Sequence, residues 1–114
     1  MSRIDDLTRL RHMQDAAIEA MSFIENRTRK DLDRDRMLAL ALVKDIEIIG
    51  EAAGRVSADC KASSPQVPWL QMIGMRNRLT HAYFEIDLDI VWQVVTDDLP
   101  PLIAELEKII AMET

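Results

Sequence analysis

The sequence is short of what most small folds other than helical bundles require. It has three glycines and four prolines in 114 residues, too few for a sandwich or barrel closed by many tight turns. It has one cysteine, Cys60, which excludes an internal disulfide, and no Cys or His stands near it at metal-ligand spacing. Aromatic residues make up 4 %. The longest apolar run, Met37 to Val43, is seven residues, far short of a membrane span. The opening MSRIDDLTRL has no apolar signal core, so a cytoplasmic location and no membrane partner are expected. An excess of basic charge is missing too: the net charge is −6.

What remains favours helix. Hydrophobic residues are 48 % and charged residues 30 %, the balance of a folded globular chain. Ala, Leu, Met, Glu and Arg, good helix formers, abound. The length suits a single domain over residues 1–114. The spacing predicts a first helix from about Arg3 to Asn26, with Leu7, Leu10, Ala17, Met21 and Ile24 on its apolar side and Ser2 as cap. The charged segment 27–35 reads as a solvated loop, with Asp33 as the cap of the next helix. That second helix is predicted from about Arg34 to Cys60, with a broad apolar face that includes Met37, Leu42, Ile46, Ile49 and Val56. Gly50 and Gly54 on its side either admit a neighbouring helix or simply weaken this one. Residues 62–68 must be a connection. A short third helix runs from Pro68 to Leu79 or His81, with Trp69, Met72 and Ile73 toward the core. Asp87 or Asp89 caps a fourth. At 97-DDLPPLI-103 that helix kinks, or a fifth begins with Asp98 as cap. The predicted fold is all-α: an up-down bundle of four to five antiparallel helices.

Charge is unevenly placed. Residues 1–36 carry eight basic and eight acidic side chains, and residues 85–114 carry eight acids against Lys108 alone. Between Asp59 and Glu85 there is no acid, while Lys61, Arg76, Arg78 and His81 lie there. The stretch 75-MRNRLTHAYFEID-87 gathers Arg76, Asn77, Arg78, His81 and Tyr83, the only tyrosine. Arginine presents a planar fork of donors to phosphate oxygens. Histidine titrates nearest neutrality and can take or give a proton. Together they suit cleavage of a phosphodiester by an adjacent hydroxyl, with a cation stabilising the crowded phosphorane and no metal or other cofactor needed. That reaction takes two proton-transfer groups, and one chain supplies one histidine in this segment. A two-fold homodimer would place two Arg76 and two His81 in one cleft. Arg78 binds RNA phosphate or pairs with an acid; the sequence leaves both open.

The spacing of Arg76, His81 and Tyr83, R-x4-H-x-Y, is set in 69-WLQMIGMRNRLTHAY-83 and accompanied by 47-EIIGEAAGRVS-57 and 89-DIVWQVVTDDLPPL-102. In these features the chain resembles the HepT toxins of the HEPN superfamily, also catalogued as DUF86. The resemblance implies a metal-independent endoribonuclease acting on RNA as a homodimer, with Arg76 and His81 as the catalytic pair and Asn77 as a supporting polar residue. It further implies a small MntA-like nucleotidyltransferase antitoxin that transfers AMP onto Tyr83 and silences the toxin. A bulky phosphate-bearing group there would repel RNA and fill the phosphate site. The competing reading is a non-catalytic helical subunit that binds a nucleotide or a nucleotidyltransferase partner through the same cationic patch.

Overall fold

The chain is described by a computed structural model at residues 3–79 and 85–113, with side chains from residue 5 onward. These residues form an all-α bundle. Helix α1 spans Arg3–Phe23, α2 Arg29–Arg34, α3 Arg36–Arg55, α4 Ala58–Ser63, α5 Trp69–Leu79, α6 Leu88–Gln93 and α7 Leu99–Glu113. No helix among the described residues is long and apolar enough to cross a membrane.

Local chemistry explains where the elements start and stop, and corrects several expected bounds. Helix α1 ends before Asn26, which takes a left-handed backbone (φ 62°), a conformation that asparagine tolerates and that terminates helices. Segment 27–35 is not simply a loop. It contains α2, opened by the Asp31 carboxylate accepting from the Thr28 N–H at 2.6 Å. Its Arg29 Nε donates to Asp89 Oδ1 at 2.7 Å and so ties α2 to α6. Asp35, not Asp33, caps α3 by accepting from the Leu38 N–H at 3.0 Å.

The predicted long second helix is broken at Val56, which turns extended. Ser57 then caps α4 by accepting from the Cys60 N–H at 3.2 Å. The break is held by buried Asp6 on α1, whose carboxylate accepts from the Ser57 N–H at 2.8 Å and the Ser57 hydroxyl at 2.6 Å. Helical pattern alone cannot register a partner 51 positions away.

Asp87 caps α6 through the Ile90 N–H at 3.1 Å. At the Pro100–Pro101 pair the helix runs through a π-turn over Val94–Asp98, with the Leu99 N–H reaching Val94 O, so Asp98 lies inside that turn and is not the cap of a separate helix. A widened turn admits prolines by relaxing the clash with preceding carbonyls.

The four long helices alternate in direction. The start of α1 meets the end of α3 through Asp6 and Ser57. Asp6 and Glu113, at the start of α1 and the end of α7, border one depression. Gly50 and Glu47 of α3 lie beside Met72 and Arg76 of α5. Pro68 and Met72, at the start of α5, border one groove with Leu102 and Glu105 of α7. Leu10, Met13, Leu42, Ile46, Met72, Met75, Leu79, Leu99 and Leu106 fill the space between them. Trp69 is buried and donates its Nε1–H to Ser64 O at 3.0 Å, and Trp92 packs half-buried on the core. Two expected core residues face out: Met37 is 82 % exposed and Ile73 38 %. Met75 takes the inward position that the apolar pattern assigns to Ile73.

Helices α3 and α5 touch at Gly50. A Cβ there would stand 2.8 Å from the Met72 carbonyl oxygen, whereas one at Gly54 would meet nothing within 4 Å. Gly50 is therefore the admitting residue of the pair. Gly50→Ala is expected to lower stability by about 1–3 kcal/mol through overpacking against backbone. Gly54→Ala is expected to raise it by about 0.5–1 kcal/mol. Chemical denaturation of both variants checks this; a Gly50→Ala protein as stable as wild type would mean the helices do not need the glycine.

Asp45 of α3 is 2 % exposed, and its Oδ2 has no hydrogen-bond partner among the described residues. Burial first, then the hydrogen bond and charge of Glu19, push its carboxyl up to about 7. The folded chain therefore keeps a proton that the unfolded chain releases near the ordinary value of 3.8. Stability contributed by this group falls as pH rises between those two values and levels off above them. Asp45→Asn is expected to flatten that slope and raise the melting temperature at pH of about 8. Thermal melts across pH test it, and an unchanged slope would remove Asp45 as its source.

Candidate functional site

Helix α5 sorts its residues cleanly. Trp69, Met72, Met75 and Leu79 point inward, at the three-and-four spacing of one helix face. Arg76, Asn77 and Arg78 are left exposed on its last turn, where cations are favoured by the helix dipole. The Asp87 N–H donates to Leu79 O at 2.7 Å, which joins the end of α5 to the residue that caps α6. His81 and Tyr83 belong to the segment between those two anchors and lie outside the described residues.

The two arginines do not share a flank. Two residues along a helix turn a side chain through about 200°. Arg76 faces α3, where its Nε stands 3.8 Å from Glu47 Oε1. That pair is at the outer limit of an ion pair, with the Arg76 side chain 73 % exposed, so it contributes little and leaves the guanidinium free to engage an anion. Arg78 faces the other way, toward Asp98 on the π-turn. Burial raises the Asp98 carboxyl above its ordinary value, the Arg78 cation draws it partly back, and Asp97 adds to the rise. The Arg78 charge thus reaches Asp98 through space as an electrostatic attraction. Asn77, exposed between them, presents an amide that can donate and accept beside Arg76.

Residue type alone does not single out Glu47. It belongs to 47-EIIGEAAGRVS-57, yet no sequence spacing links it to Arg76, 29 positions later. Only the packing of α3 on α5 does so. A glutamate three residues before a glycine that touches another helix is the sole local hint. Among the described residues no group of three or more His, Cys, Asp or Glu is placed to hold a metal ion.

Comparison with known proteins agrees with the architecture. The family described as "Ribonuclease HepT-like" matches residues 13–109. The chain is 37 % identical over 102 residues to "Probable ribonuclease HepT" of Thermococcus cleftensis, covering 86 % of this chain and 92 % of that one. It is 33 % identical over 107 residues to "Putative RNase MJ1380" of Methanocaldococcus jannaschii, covering 94 % and 98 %. A third relative, "Putative RNase TTE0752" of Caldanaerobacter subterraneus subsp. tengcongensis, is 32 % identical over 84 residues, covering 74 % and 75 %. No solved structure matches at a comparable level. The match spans α1 to α7 and includes the cationic end of α5: this chain belongs to the HepT-like ribonuclease family.

Proposed function

We propose that the chain is the toxin of a type VII-like toxin–antitoxin pair: a metal-independent endoribonuclease that works as a homodimer and is silenced by AMP transfer to Tyr83. The observation that carries this reading is the state of Arg76. It is an exposed guanidinium at the end of α5, held only loosely by Glu47, in a chain of the HepT-like ribonuclease family.

The chemistry is set by the residues. A ribose 2′-hydroxyl loses its proton to the neutral imidazole of one His81 and attacks the adjacent phosphorus. The imidazolium of the second His81 protonates the departing 5′-oxygen. Arg76 donates to the phosphate oxygens as negative charge grows on the phosphorane, and Asn77 fixes the neighbouring polar contacts. Two copies supply the two imidazoles. A nucleotidyltransferase antitoxin that joins AMP to the Tyr83 hydroxyl, releasing pyrophosphate from ATP, would set a negative charge where the RNA phosphate must sit.

Purified chain of confirmed unmodified mass is expected to cut total RNA in excess EDTA. Arg76→Ala and His81→Ala are each expected to lose about 100-fold or more of that rate while remaining folded dimers by circular dichroism and sedimentation. Full activity in either variant would overturn the assignment, and no cleavage by wild type would favour the non-catalytic binding subunit. Co-expression with the nucleotidyltransferase is expected to add AMP mass that disappears in Tyr83→Phe. Intact-protein mass spectrometry reads this, and an unmodified wild-type mass would defeat the regulatory step alone.

A further inference from the structure

The groove between α1 and α3 is opposite in charge at its two ends. Its acidic end is a depression of about 220 Å³ bordered by Asp15 and Glu19 of α1 and Asp45 of α3. Its basic end is a depression of about 260 Å³ bordered by Arg9 of α1 and Arg55 of α3, with Glu51 beside them. His12 and Ile48 line both depressions, so one opens into the next. Each end holds an enclosed polar atom with no partner among the described residues: Asp45 Oδ2, on a residue 2 % exposed, and Arg9 Nε. Buried polar atoms are ordinarily satisfied, and each exception needs an account. The groove is thus short of a donor at one end and of an acceptor at the other.

The residues at each end define what would complete it. Among the described residues no group of three or more His, Cys, Asp or Glu is placed to hold a metal ion, so the acidic end suits an organic cation with several N–H donors. At the basic end Arg55 holds Glu51 at 3.2 Å, and Arg9 adds a second guanidinium to the same depression. Two cations with one carboxylate among them are the complement of a carboxylate that carries an ammonium beside it, the head of an α-amino acid. Between the ends, Ala16, Ile48 and Ala52 offer an apolar floor to methylene groups. On both helices the residues lining one end are centred about five positions from those lining the other, or about 7.5 Å along the axis. The side chain of arginine carries its cation about five bonds from Cα, at bond lengths of about 1.5 Å, and covers that interval when extended.

We infer that this groove is a binding site for a basic amino acid, arginine in preference to lysine. The ligand's carboxylate lies on Arg9 and Arg55, its α-ammonium on Glu51, its methylenes on Ile48 and Ala52, and its guanidinium between Glu19 and Asp45. The planar fork of a guanidinium serves two carboxyls at once, where an ammonium offers a point charge. Burial first, then Glu19, push the Asp45 carboxyl up to about 7, the mark of paired acids short of a counter-cation. The site is separate from the cationic end of α5 and goes beyond the ribonuclease reading; it stands whether or not the chain cuts RNA.

Glu19 and Arg55 are both exposed, so neutral replacements leave the core intact, which thermal melts confirm. Isothermal titration of the purified full chain compares L-arginine with agmatine, which lacks the carboxylate, and with citrulline, whose side chain ends in an uncharged urea. Arginine is expected to bind tighter than about 1 mM, and agmatine and citrulline at least about tenfold more weakly, because each leaves one end of the groove unpaired. Glu19→Gln and Arg55→Gln are each expected to weaken arginine at least about tenfold. Arg55→Gln is expected to leave the affinity for agmatine unchanged, and Glu19→Gln that for citrulline, since the altered end is the one that ligand does not use. No binding of arginine at about 1 mM overturns the site. Agmatine or citrulline binding as tightly as arginine overturns the two-ended recognition, and lysine binding as tightly overturns the preference. Wild-type affinity for arginine in either variant overturns the groove as the place of binding.

Discussion

Everything at the candidate site depends on how closely α5 lies on α3. Gly50 lacks the side-chain atom that would stand 2.8 Å from the Met72 carbonyl oxygen, so the two helix backbones come together at that level. One turn further along α5, the same approach brings Arg76 to Glu47. With the contact set, the helical turn decides the rest. Met75 and Leu79 fill the core, Asn77 stays in solvent, and Arg78 is thrown to the far flank beside Asp98. A bulkier residue at position 50 would move α5 as a rigid rod. The cationic end would move with it.

Polar groups hold the other joints. Asp6 is buried but satisfied: it closes the break between α3 and α4 from across the bundle by taking both donors of Ser57. Asp45 is buried with its Oδ2 unbonded among the described residues, and it keeps its proton with the help of Glu19. The contrast shows two uses of a carboxyl in one small bundle. The first fixes the chain's path, since losing it would leave a serine amide and hydroxyl short of an acceptor. The second costs stability at neutral pH, because the folded chain holds a proton that the unfolded chain has released.

Much of the fold is legible in the chain because helical periodicity is a local property. Leu10 and Ala17 on α1, Ile24 just past its end, and Leu42, Ile46 and Ile49 on α3 are buried as their spacing requires. Asp87 caps α6 because a short acid before an apolar run can do little else that satisfies the first N–H groups. Expectation and structure part where the deciding partner is remote. Val56 ends α3 because Asp6 receives Ser57. Arg29 leaves the supposed loop to reach Asp89. Asp98 opens no separate helix ahead of the double proline, because a π-turn carries the chain through it. Met37 and Ile73 match the apolar pattern yet face out, since a stripe on one helix is buried only where another helix covers it.

The candidate site divides along the same line. The sequence by itself determined that Arg76, Asn77 and Arg78 end a helix, that no acid lies between Asp59 and Glu85, and that His81 and Tyr83 come next at a spacing that resembles one family. These are matters of residue type and of distance along the chain. Only the tertiary structure decided that Glu47 stands beside Arg76 and that the Arg78 charge acts on Asp98, and that Arg9 and Asp45 end one groove, each with a polar atom left unbonded among the described residues. The reason is physical: a helix fixes which of its own residues share a face, but which face meets which neighbour is set by packing between segments far apart in the chain.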